Sequence, residues 1–111
     1  MASVGDMQRE SGLQGRMAHW HGRSGRSYGL AWESLESFSM HEADLYLIAK
    51  GGHVLWVGST QELVGDPLSR ARFRLALDCA THVFRLPAPD NRPSAIWDLE
   101  GASPEAAVQA A

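Results

Sequence analysis

A single cysteine, Cys79, is all the thiol chemistry this 111-residue chain holds. No internal disulfide can close and no CxxC metal knuckle can be written, so a reducing, cytoplasmic setting is expected. Long hydrophobic runs are missing too. The longest, Leu45 to Ala49, is far short of a membrane helix, and MASVGDMQRESGLQGR at the N-terminus mixes charge with glycine where a signal peptide has an apolar core. Neither secretion nor membrane insertion is expected. Lysine is nearly missing: Lys50 stands beside nine arginines, and a net charge of −3 excludes a generally basic nucleic-acid-binding surface while permitting a local one. There is no phosphate-binding glycine loop, no HExxH, no GxSxG and no carboxylate pair at a telling spacing, so no cofactor is expected.

What is present is enough for one core. With 44% hydrophobic residues, the chain reads as a single domain over 17–99, between a disordered leader, 1–16, and a flexible tail, 100–111, whose side chains are small. HWHGRSGRSYGLAW alternates around Ser24-Gly25 and predicts a hairpin, with strands near 18–23 and 26–31. Trp32, Leu35 and Phe38 recur every three residues and predict a short helical turn. The strongest pattern follows: an apolar run at 45–49, a Gly51-Gly52 turn and a second run at 54–57, a central hairpin. Ser59 and Glu62 have the spacing of a capping box, and Asp66-Pro67 predicts an N-cap opening a helix from 67 to about 80. THVFRL, 81–86, reads as a strand, with Ile96, Trp97 and Leu99 tucking back onto the core. The fold class is therefore α+β: a small antiparallel or mixed sheet of about five strands, ββ-α-ββ-α-β, covered on one face by one main helix.

Within the central hairpin, Asp44-Leu45-Tyr46 and Trp56-Val57-Gly58 place two aromatics ten residues apart, Ser59-Thr60 follows the glycine, and an arginine-bearing helix and a strand come next. Over residues 44–86 this resembles the GIY-YIG nuclease family, whose domain opens with a hairpin carrying two short tyrosine motifs, followed by a helix with an arginine. The resemblance implies tyrosines and an arginine around a water attacking a phosphodiester, with a divalent metal on a later glutamate. Here Asp44 stands for the first glycine, Trp56, which has no hydroxyl, for the second tyrosine, and only Glu100 and Glu105 follow the last strand. What it implies for this chain is nucleic-acid binding through Tyr46, Trp56, Arg70, Arg72 and Arg74. Register is its physical check. A plain two-residue Gly51-Gly52 turn puts Tyr46 and Trp56 on opposite faces, and a bulged loop that takes in His53 puts them on one.

Arg72 projects between Leu68, Leu75, Ala76 and Cys79, the most apolar arc of its helix, while Arg70, Arg74 and Asp78 share another side. Either its guanidinium is presented at the edge of a pocket, or its stem covers core while its head snorkels to solvent or pairs with an acid such as Asp44 or Glu62. Cys79, on the same arc, reads as a small buried hydrophobe. A Ser24-Gly25 turn would gather His19, His21, Arg23, Arg26 and Tyr28 on one face, an alternative contact surface for protein or RNA. The two histidines could chelate a metal only if His41, His53 or His82 joined them, and no metal site is expected. The leading expectation is a small, non-catalytic interaction protein whose partner is another protein or a second copy, with nucleic acid as the alternative.

Overall fold

The computed structural model describes residues 16–105, so the expected leader up to Gly15 and the tail from residue 106 lie outside the described residues. Two hairpins form first along the chain, β1 (Met17–His21) with β2 (Ser27–Glu33), and β3 (Asp44–Lys50) with β4 (His53–Gly58). Then come α1 (Thr60–Gly65), α2 (Pro67–Cys79), β5 (His82–Pro87), α3 (Arg92–Glu100) and a short β6 (Ser103–Pro104). The strand order is β4-β3-β5-β2-β1-β6, antiparallel throughout. β5 thus slots between the two hairpins. The sheet curls until its ends approach: a Cβ added at Gly52, in the β3–β4 turn, would sit 3.3 Å from the Pro104 ring in β6. The result is nearly a barrel.

Helices cover both faces of this sheet, where one covered face was expected. On the concave face, Trp20, Tyr28, Leu30, Leu45, Leu47, Val57, Phe84 and Leu86 pack against Ala95 and Leu99 of α3. On the other face, Tyr46, Ile48, Trp56 and Val83 pack under Ala76, Phe73 and Leu77 of α2 and under Leu35 and Phe38 of the 34–43 loop. β3 is buried on both sides, which is why its sequence, DLYLIAK, is a continuous apolar run.

Both hairpin registers turn on one residue. In the first hairpin His21 pairs Ser27, and Gly25 lies at φ +89°, so the loop is one residue longer than a bare Ser24-Gly25 turn. That slip flips every side chain of one strand relative to the other. In the second, Lys50 pairs His53 across a two-residue Gly51-Gly52 turn, but the pairing then jumps from Ala49↔Val54 to Ile48↔Trp56. Leu55 is the extra residue of a β-bulge. The bulge sits inside β4, not in the turn, and it puts Tyr46 and Trp56 on the same face.

The capping chemistry is as expected. Ser59 and Glu62 form a complete capping box on α1, and the Asp66 carboxylate accepts from Leu68 N at 3.0 Å to open α2 at Pro67. Three other stretches differ. The turn expected around Trp32, Leu35 and Phe38 is not helical: Trp32 belongs to β2 and the concave core, while Leu35 and Phe38 cross to the opposite face. Residues 92–100, from which Ile96, Trp97 and Leu99 were expected to tuck back onto the core, form α3, capped by Asn91 Oδ1 accepting from Ser94 N; Ile96 and Leu99 do pack on the core, whereas Trp97 is 56% exposed. Nor does the chain loosen at residue 100. Ala102 is buried, and Ser103 and Pro104 pair with His21 and Trp20.

Asp98 locks α3 to the first hairpin. Its carboxylate accepts from Ser24 N (2.7 Å), Ser24 Oγ (2.8 Å) and Tyr28 OH (2.7 Å). Burial pushes this carboxyl up, but the three hydrogen bonds and the nearby Arg26 outweigh it, and Asp98 lies below its ordinary pKa. Tyr28 moves the other way, raised by burial first and then by its bond to Asp98.

Candidate functional site

Among the described residues β4 is an edge strand with no strand paired on its outer side. A groove of about 390 Å³ runs along that edge. Val54 and Val57 from the concave face and Trp56 from the opposite face all line it, so it straddles the sheet edge. One wall is Leu68, Ser69 and Arg72 of α2, and the other is Ile96 and Glu100 of α3. Glu62 and Asp66 also line it.

The rotation of α2 about its axis decides what this wall presents. Trp56 Nε1 donates to Ser69 Oγ at 3.1 Å, and the Trp56 ring meets Phe73 edge-on at 4.8 Å. Ser69 and Phe73 are thereby turned inward with Ala76 and Leu77. The arc expected to be buried faces out instead: Leu68 and Leu75 are 56% and 67% exposed, and Arg72 and Cys79 are exposed with them. Leu75, Arg72 and Cys79 also join Leu55, the bulge residue, in a shallow apolar hollow beside the groove.

Arg72 therefore stands at the groove rim, and the acids expected to neutralise it are engaged elsewhere. Asp44 lies 3.9 Å from Arg85, whose Nε also bonds Glu33 at 2.7 Å. Glu62 accepts from Ser59 N at 2.7 Å and lies 3.8 Å from Arg92. No ion pair among the described residues uses Arg72.

The remaining sequence candidates disperse. Tyr46 shares the Trp56 face but is fully buried; its hydroxyl donates to Ser39 O (3.3 Å) and accepts from His41 N (2.9 Å), which pins the 34–43 loop, and burial raises its pKa. Arg70 caps the end of α1 by donating to Leu63 O (2.8 Å) and Val64 O (3.3 Å). Arg74 is exposed and outside the groove. In the first hairpin, the register puts His19 and His21 on one face and Tyr28 with Trp20 on the other, so that surface is split. Arg23 stacks on Trp97 (4.9 Å) and Arg26 lies over Tyr28 (5.3 Å). Among the described residues no three His, Cys, Asp or Glu side chains converge as metal ligands. Ser69 and Leu55 carried no signal in the sequence as site residues, and Ile96 read only as a core residue.

No family model, no curated protein and no solved structure matches this chain.

Proposed function

We propose that this chain is a non-catalytic binding module that takes an extended peptide segment as an added strand along the outer edge of β4. The observation that carries the reading is the unpartnered β4 edge at the floor of a groove walled by α2 and α3. Strand addition draws affinity from main-chain hydrogen bonds and specificity from alternate side chains. The groove walls supply Leu68 and Ile96 for apolar side chains. Its lining sets Asp66 and Glu100 against the cation Arg72, with Glu62 already paired to Arg92, which favours a segment interleaving apolar with basic residues. The Leu55 bulge interrupts the edge and confines pairing to a short stretch near Trp56–Gly58, which also prevents open-ended stacking of sheets. The exposed Cys79 fits a reducing, cytoplasmic setting, where it stays free. No helix among the described residues is long and apolar enough to cross a membrane.

The test is NMR titration with two capped pentapeptides, one alternating valine with lysine and one alternating valine with glutamate. The basic peptide is expected to shift the amides of residues 54–58 and to bind about ten-fold tighter than the acidic one. Leu68→Lys should abolish the shifts. A concentration-dependent mass lost in Leu68→Lys would make a second copy the occupant. Salt-sensitive DNA or RNA binding lost in Arg72→Ala and Arg74→Ala, without peptide shifts, would replace this reading with the nucleic-acid one.

A further inference from the structure

A second cavity, of about 380 Å³, opens at the mouth of the curled sheet, between the β3–β4 turn and β6. Its volume falls inside the roughly 300–1,000 Å³ range of small-molecule sites, and barrel mouths are a usual place for them. The walls are aromatic. Phe84 and His82, two apart on β5, lie nearly parallel at 13°, stacked with their centroids 5.9 Å apart, and line one side. Trp32 meets this pair edge-on, at 66° to Phe84 and 76° to His82, and Trp20 stands at 62° to Phe84, with centroids 4.8–5.6 Å apart. The two indoles and the stacked pair together form an aromatic box around the cavity. Glu105 puts a carboxylate at its rim.

We propose that this box binds a trimethylammonium head group. Ring faces carry negative quadrupolar charge, and a methylated ammonium matches them because its charge is spread over an apolar surface that costs little to desolvate. A neutral apolar ligand would find the same area but make no use of Glu105. The rings already attract a cation: the Arg16 guanidinium lies 5.2 Å from the Trp32 centroid, although Arg16 does not line the cavity. This site shares no residue with the β4 groove and stands independently of the peptide-binding reading.

The head group could belong to a free small molecule or to a trimethylated lysine side chain, and the experiment separates these sources. The full chain is titrated with choline, with its neutral carbon isostere 3,3-dimethylbutan-1-ol, and with N-acetyl-trimethyllysine amide. The indole N–H signals of Trp20 and Trp32 are followed by NMR. Choline or the trimethyllysine derivative is expected to saturate, with the isostere about ten-fold weaker; whichever cation binds tighter identifies the source. Trp32→Leu should weaken cation binding at least about ten-fold, and Trp32→Phe, which keeps a ring, should restore most of it. Arg16→Gln should strengthen binding by removing a competing charge. Trp97→Leu, a change in an indole outside the cavity, should leave it unchanged. Saturation by the isostere at equal concentration, no saturation by either cation, or an equal loss in Trp97→Leu overturns the proposal.

Discussion

Asp98→Ala is expected to lower stability by about 3 kcal/mol, because truncation removes the acceptor for three donors at once and leaves the buried Tyr28 hydroxyl without its partner. For a domain of this size that is a fall in Tm of roughly 12–20 °C. Tyr28→Phe removes one donor and should cost only about 1 kcal/mol. The pH dependence has a definite sign. Asp98 has a folded pKa below its unfolded one, so its contribution is present above the unfolded value, near about 4, and is lost as pH falls through the folded value. Tyr28, raised in the folded state, contributes stability that is present below about pH 10 and lost as pH climbs through its folded value. Thermal melts of the wild type and Asp98→Asn across pH 2–7 check the acid side. Their Tm gap should narrow toward pH 2, and a gap independent of pH would show that the carboxylate's charge is not what holds the hairpin.

Gly58→Ala is the second change with a large expected effect, about 2–4 kcal/mol. A Cβ at this position would lie 2.6 Å from Trp56 Cζ2, because strand alternation sets Trp56 and Gly58 on one face with the indole lying across the glycine. The ring would have to swing away, giving up its bond to Ser69 and its edge-on contact with Phe73, the two contacts that orient α2. If that is the mechanism, Gly58→Ala should cost nothing further in a Trp56→Leu background, where the ring is gone. Chemical denaturation of the double-mutant cycle reads this directly. Additive losses would mean that the glycine is needed for some other reason. The Trp56-Val57-Gly58 triplet thus has a packing explanation that needs no active site.

How much of this was legible in the sequence depends on how local the cause is. The capping box at Ser59 and the Asp66-Pro67 helix start are settled by side chains bonding their own backbone within a few residues, and they form as read. The hairpins were legible as hairpins, but their faces were not, since each parity rests on one residue: Gly25 with its positive φ, and Leu55, extruded mid-strand. α3 carried its cap, Asn91, and an early Pro93, yet Pro87 and Pro89 just before it make the approach read as loop. β6 had no apolar signature because backbone pairing with β1 holds it. At the groove, Arg72 stood out as the odd side chain of its helix, but the direction it faces was set elsewhere. Trp56, across a helix turn and a strand, chose which arc of α2 went inside. The aromatic box was least legible, since its rings come from β1, β2 and β5 and meet only when the sheet closes.

The place of β5 has a further consequence for the order of assembly. Both hairpins are complete in the chain by Gly58, yet no ladder joins one to the other; each pairs instead with a strand made more than twenty residues later. On the ribosome, β2 and β3 therefore wait with bare, apolar edges until His82–Pro87 emerges, and the sheet closes in one long-range step. Until then Tyr28 and Leu30 of one hairpin and Leu45 and Leu47 of the other have no common core to enter, so this interval is the chain's most exposed to mispairing, and a chaperone that shields strand edges would act there.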